Sequence, residues 1–292
     1  MKRLAVVTMA YNESFNLPRW IKYYSSQVDR FSDLYILDHG SDDCSTGFLN
    51  SEINHARLSR ECGRNDFEIW RLNYISNLIR HLKVFYETIM YVDCDEFVAV
   101  DPKVSDSLVE YFSGPGNGKS FSAIGFNVLH DFRCESALRY GEKITENRTS
   151  LQLNTSMCKS VAVGFGSELK WSCGFHFSSI YPKFGDLFLF HTRYCDLCAG
   201  LKRLSLTRSI SDQPRLMLAL HQRISDETFA QWLKDMLSHP ADLGDIAMSN
   251  KRISKFFSDL PIKLNQDGLW AFPLNLTTNS VNILPDRFVG LF

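Results

Sequence analysis

No stretch of the 292 residues approaches the ~18 consecutive apolar residues of a membrane-spanning helix, so an integral membrane enzyme is not expected. Neither sign of charge is in excess: 32 Lys and Arg face 33 Asp and Glu, a net charge of −1. Such a chain has no overall field to draw nucleic acid or an acidic membrane, and any partner must be recognised by a local site. Eight cysteines are scattered among apolar neighbours rather than grouped as a disulfide framework, which reads as reduced, buried and cytosolic. The one C-x-x-C spacing, Cys195 to Cys198, lacks the second pair a structural zinc would want and reads as two thiols on one helical turn. Low complexity and internal repeats are also missing.

What is present is ordinary globular material, 45% hydrophobic and 22% charged, in a length suited to one large domain or two modest ones. Residues 1–10 have the outline of a short signal peptide, but Asn12 and Glu13 interrupt it and the run reads better as a first strand. In a cytosolic chain the sequons at Asn147 and Asn275 then carry no glycan.

Strand and helix signals alternate through the first hundred residues. Strands are expected at 4–9, 34–38, 67–72 and 89–92, and helices from residue 17 and over 74–86. That order predicts an α/β fold: a mixed, mainly parallel sheet of Rossmann-like type with helices on both faces. Further strands are expected at 120–129, 157–163 and 187–191, with an irregular stretch at 133–155 between them and a Gly/Pro loop at 114–118. From residue 196 the periodicity turns helical, at 197–210, 215–220, 228–237 and 246–257, while the aromatic tail from 261 has no period. The expected division is therefore a sheet-bearing part, 1–195, and a helical part, 196–292, the second free to cover a binding site, mediate self-association or lie on a membrane surface. Phe256, Phe257, Trp270, Phe272, Phe288 and Phe292 make the last of these worth testing, although aromatic enrichment is more often core.

In open sheets of this kind ligands bind beyond the carboxyl ends of the strands. The polar clusters fall there: Tyr11, Asn12 and Glu13 after the first strand, residues 38–43 after the second, and residues 93–96 after the fourth. In an extended segment Asp93 and Asp95 would share a face, a hard-oxygen pair suited to Mg²⁺ or Mn²⁺ held jointly with phosphates.

The ordered triple Met9-Ala10-Tyr11-Asn12-Glu13, Leu37-Asp38-His39-Gly40-Ser41-Asp42-Asp43 and Val92-Asp93-Cys94-Asp95-Glu96-Phe97 resembles the family 2 type of glycosyltransferase with a GT-A fold, in its bacterial branch with an Asp-x-Asp-Glu-Phe signature. The resemblance implies transfer of one sugar from a nucleotide-sugar donor, a UDP-sugar by preference, to a glycan or lipid-linked glycan, in surface-polysaccharide assembly. It further implies that Tyr11, Asn12, Glu13, Asp38 and Asp93 contact the nucleotide and that Asp93 and Asp95 hold the cation. Downstream, Trp171, Gly174 and His176, and then His191 and Arg193, are similar to stretches such transferases carry beyond the sheet. His191 would be a third metal ligand and Arg193 a diphosphate contact; Lys159 reads as a solvated strand residue, and Arg80, His81 and Lys83 as a solvated helix face.

An inverting transfer needs a base for the acceptor hydroxyl. The Glu-Asp pair of many relatives is absent, leaving His176, Glu168 and Asp131, with His176 first because its ordinary pKa suits neutral pH. Without a Gln-x-x-Arg-Trp motif or a membrane span, single-sugar addition is expected rather than processive synthesis. Two other readings stay open: a nucleotidyltransferase on a related fold, although its Gly-rich phosphate loop is replaced by Tyr-Asn-Glu-Ser, and a carbohydrate- or nucleotide-binding module without turnover.

Overall fold

The strand β1 (Lys2–Ala10) is buried on both faces, and its alternation divides two cores. Leu4, Val6 and Ala10 point into the larger core, and Ala5 and Val7 into the smaller one. The computed structural model describes residues 1–60, 67–114, 121–211 and 224–292. The helix expected at 215–220, most of the loop expected at 114–118, and Cys62 lie outside the described residues.

Helix α1 (Leu17–Tyr24) starts with Pro18 in its first turn, where the missing N–H costs nothing. It buries Leu17, Trp20, Tyr23 and Tyr24 in the larger core. The Tyr23 hydroxyl donates to the Val98 carbonyl at 2.8 Å, and the Tyr24 hydroxyl accepts from the Val98 N–H at 2.8 Å. On the other face, α2 (Phe67–Leu82) packs Ile75, Ile79 and Leu82 against the smaller core. This replaces the strand expected at 67–72: the apolar positions continue at helical spacing through Leu82, and the third strand is instead the short, exposed β3 (Asn54–Arg57).

Strands β3, β2 (Leu34–Asp38), β1 and β4 (Tyr86–Tyr91) form a parallel block in that order. Beyond β4 the sheet becomes mixed. β8 (Ser160–Gly164) runs antiparallel to β4, followed by β6 (Phe121–Leu129). β6 pairs on one side with β7 (Ser150–Leu153), and in parallel with β9 (Phe184–His191), which is antiparallel to β5 (Glu96–Val100). The α/β fold with a mixed sheet and helices on both faces is thus as the sequence predicts.

The C-terminal part is less helical than its periodicity suggests. After the short helices α3 (Leu108–Ser113) and α4 (Ile144–Asn147), it contains α5 (Leu197–Ser211), α6 (Asp226–Leu237) and α7 (Lys251–Ser258), but β10 (Ala241–Asp242) and β13 (Val281–Ile283) extend the main sheet through β7, while β11 (Lys263–Leu264) and β12 (Trp270–Ala271) form a small separate pair. A boundary at residue 195 therefore cuts through one shared sheet. Phe288 and Phe292 pack on Phe190, and Phe292 stacks on Phe97 at 4.4 Å. Phe257 and Phe272 are also buried, so these aromatics serve the core rather than a lipid surface. Among the described residues no helix is long and apolar enough to cross a membrane. The seven described cysteines are free; Cys94, Cys158 and Cys195 are buried, but Cys44, Cys134, Cys173 and Cys198 are exposed, contrary to the uniform burial expected.

Candidate functional site

Strand register assembles the site. Ala10 pairs with Asp38 across β1 and β2, and Val7 with Tyr91 across β1 and β4, so the ends of all three strands meet. On the mixed side, Glu96 pairs with His191 and His191 with Asn127, one rung across β5, β9 and β6. The Asp95 carbonyl also accepts from the Thr192 N–H at 2.8 Å.

That rung brings His191 Nε2 to 3.3 Å from Asp95 Oδ2, while Nδ1 lies 2.9 Å from the Asn127 amide oxygen. With the ring proton on Nδ1 and donated to Asn127, Nε2 turns its lone pair toward Asp95, the arrangement in which an outer amide orients a metal-binding imidazole. Two ligands of one ion at ~2.1 Å and roughly right angles stand about 3 Å apart. Without a cation, burial alone would raise the Asp95 carboxyl; His191 in its protonated form, donating from Nε2, then Arg203 and Arg193, override it and hold the group well below the usual carboxylate range, and a bound cation would take the place of that Nε2 proton. Among the described residues no group of three or more His, Cys, Asp or Glu could by itself hold an ion. The donor set present is one carboxylate and one imidazole. It fits a cation that takes its remaining ligands from phosphates and water, as Mg²⁺ commonly does, and does not fit an all-protein cage.

Asp95 lines a cavity of ≈ 490 Å³ with Asn12, Glu13, Arg193 and Arg203. The Arg193 Nη2 is buried without a hydrogen-bond partner, an uncommitted cationic donor beside Asp95. Arg203, on α5, clamps the end of β1: Nη1 donates to the Tyr11 carbonyl at 2.6 Å, and Nη2 meets Glu13 at 2.9 Å. Burial pushes the Glu13 carboxyl up to about 7 despite Arg203.

The β1 and β2 ends are tied reciprocally. Asn12, held at φ 50°, donates from Nδ2 to Asp42 at 2.7 Å and accepts from the Asp42 N–H at 2.9 Å. Asp38 accepts from the Ser41 N–H at 2.8 Å, while its other oxygen is buried with no hydrogen-bond partner. The Arg60 guanidinium lies over the Tyr11 ring, 3.2 Å from its centroid.

No family model and no curated protein matches the chain. Among solved structures, S. aureus TarS residues 1–349 is similar at 12% identity and a TM-score of 0.34, over 91% of this chain and 76% of that one. The same TarS residues in complex with UDP-GlcNAc match at 9% identity and a TM-score of 0.36, over 80% of this chain and 71% of the other. A likeness at that level decides nothing about activity.

Four sequence expectations change at the site. Residues 93–96 form a turn, closed by the Glu96 N–H on the Asp93 carbonyl at 3.0 Å, so strand alternation does not apply and the two aspartates take different partners. The Asp93 carboxylate accepts from the Tyr91 hydroxyl at 2.7 Å and faces Arg71 at 3.4 Å and Lys159 at 3.9 Å. Lys159 is not solvated: it is 4% exposed and pairs with buried Glu96 at 2.6 Å, and these carboxylates outweigh burial and raise its pKa. Glu168 is exposed at the opposite end of the strands. β8 runs antiparallel to β4, so residues 165–170 leave beside the start of β4, where Lys83 donates to the Ser167 carbonyl. Asp131 is spent on a bidentate pair with Arg133, both bonds 2.7 Å, which lowers its carboxyl to about 2 and makes it a poor base.

His176 donates its Nδ1 proton to the Ser156 carbonyl, 2.8 Å away; burial, then Lys159, lowers its pKa. It does not line the cavity. Sequence reasoning missed Arg203 and Asn127. Asn127 left a readable signal, a lone amide near the end of the mainly apolar β6; Arg203 left none, since its role exists only where α5 crosses the end of β1.

Proposed function

We propose that this chain is a glycosyltransferase that moves one sugar from a nucleotide-sugar donor, a UDP-sugar by preference, to a hydroxyl of a glycan or lipid-linked glycan, with Mn²⁺ or Mg²⁺ at Asp95 and His191. The observation that carries the reading is the Arg193 donor, its Nη2 without a hydrogen-bond partner, which lines one cavity with Asp95, the carboxylate that stands 3.3 Å from His191. Together these groups offer a cation site and an anion site, as a diphosphate leaving group requires. A cation bound there would act as a Lewis acid on the charge that develops as the sugar–phosphate bond breaks. Arg193 shares that charge through its free Nη2. The buried Asp38 oxygen, which has no hydrogen bond and faces only Arg57 at 3.7 Å and His55 at 3.9 Å, suits a donor group of the nucleoside.

In this reading Glu13 takes the proton of the acceptor hydroxyl, the part expected of His176. It lines the cavity, Arg203 fixes its orientation, and a pKa near 7 is poised for proton transfer at neutral pH. Asp93 acts from behind, its carboxylate committed to Tyr91, Arg71 and Lys159.

A transferase deprived of its acceptor passes sugar slowly to water, whereas a binding module does not. Incubation with a panel of UDP-, GDP- and CMP-sugars in Mn²⁺ is expected to release free sugar and nucleotide from one donor class, and to stop on chelation. Release of pyrophosphate from nucleoside triphosphates instead would favour a nucleotidyltransferase, and no turnover of any donor would sink the enzymatic reading.

A further inference from the structure

The cavity that holds Asp95 and Arg193 is also lined by residues the donor does not account for: Ala137, Leu138 and Tyr140, and Lys202 and Leu206 on α5. Tyr140 is 81% exposed. A single exposed aromatic is common and carries no message. What distinguishes this one is the loop that presents it.

Residues 136–142 have no regular secondary structure, yet buried side chains hold their backbone. Arg19, on α1, spends its whole guanidinium on carbonyls: Nη2 on Arg139 at 2.7 Å, Nε on Glu142 at 3.2 Å and Nη1 on Phe15 at 2.6 Å. Arg148, 1% exposed, donates to the Ser136 carbonyl at 2.8 Å and to the Cys195 carbonyl at 2.5 Å. Buried Asp196 accepts from the Leu138 N–H at 2.7 Å and caps α5 through the Ala199 N–H at 2.9 Å. Removing two guanidinium groups from water to fix loop carbonyls is costly. The return is a rigid loop joined to α5, with a half-apolar wall on the cavity and an aromatic ring left in solvent. Preorganised loops of this kind, with apolar surface and a few polar groups, are characteristic of ligand sites.

We infer that residues 137–140 and the first turns of α5 form the subsite for the acceptor's sugar ring, with Tyr140 as its stacking face. The inference rests on the glycosyltransferase reading. A pyranose presents a face of C–H groups and a rim of hydroxyls; the Tyr140 ring matches the first, and Lys202, exposed at the cavity, is placed for the second.

The test is saturation-transfer NMR with a panel of hexoses and disaccharides on the full chain holding UDP and Mn²⁺, with UDP affinity measured in parallel by calorimetry. At least one sugar is expected to show saturation of its ring C–H protons. Tyr140→Ala should weaken that sugar about tenfold or more and Tyr140→Phe should keep it, with UDP affinity unchanged in both. If UDP binds and the sugar signal is the same in Tyr140→Ala, or no sugar in the panel binds the wild-type protein, this subsite is wrong and the donor site stands. If UDP itself does not bind, the glycosyltransferase reading fails and the subsite with it.

Discussion

Asp95→Asn is expected to lower turnover of the nucleotide-sugar donor by roughly 10²–10³-fold and to remove its dependence on Mn²⁺. The substitution keeps the shape of the side chain and its place beside His191, 3.3 Å away, but replaces an anionic oxygen by a neutral amide. With one carboxylate and one imidazole as the protein's donors, loss of the only charged one leaves little to hold a hard cation. Asp95 is half-exposed, so the variant should fold, and its melting temperature serves as the control. Steady-state donor hydrolysis with and without Mn²⁺ measures the effect. An Asp95→Asn enzyme with wild-type kcat would show that the cation, if any, binds elsewhere.

The second large effect is on stability. Lys159 and Glu96 form a buried pair at 2.6 Å beneath the site, 3% and 4% exposed at their side chains. Taking one partner away strands a charge that water cannot reach, at a cost of ~3–5 kcal/mol. Glu96→Gln is expected to reach that range, because the remaining carboxylate near the ammonium, Asp93, is 3.9 Å away and already engaged by Tyr91 and Arg71. The double variant Glu96→Gln, Lys159→Met should recover part of the loss, since it removes the stranded charge as well. Urea denaturation of the two variants decides this. A loss below ~1 kcal/mol in Glu96→Gln would mean that the pair is not desolvated in solution.

The legibility of the chain divides along the same lines. β1, β2 and β4 were readable because each is a short apolar run ending in a polar cluster, and the position of Asp38 and Asp95 at strand ends followed from that alone. The segment 67–72 was not, because a short apolar run at the start of a helix has no period of its own, and only its continuation through Leu82 distinguishes the two. The tail was unreadable for a different reason. β13 is three residues long, and what fixes it is its pairing with β7 and β10, which is long-range information.

At the site, residue type was legible and role was not. Asp95, His191 and Arg193, far apart in sequence, are neighbours in the fold. Asp93, Asp131 and Glu168 look equivalent in sequence, and the fold separates them: one faces a lysine and an arginine, one is locked to its neighbour Arg133, and one leaves with β8 for the far end of the strands. No local pattern encodes the direction of β8 or the presence of Arg71, yet these determine which carboxylates remain available.

The Asp95–His191 pair and Arg193 are proposed to make a cation-dependent diphosphate site. Calorimetric titration of UDP, GDP and CMP into the purified protein, each in Mn²⁺ and in excess chelator, addresses it without knowledge of the sugar or the acceptor. Saturable binding of one nucleotide diphosphate, UDP by preference, that weakens at least tenfold when the metal is removed is the predicted result. No binding in Mn²⁺, or equal binding with and without metal, would contradict it.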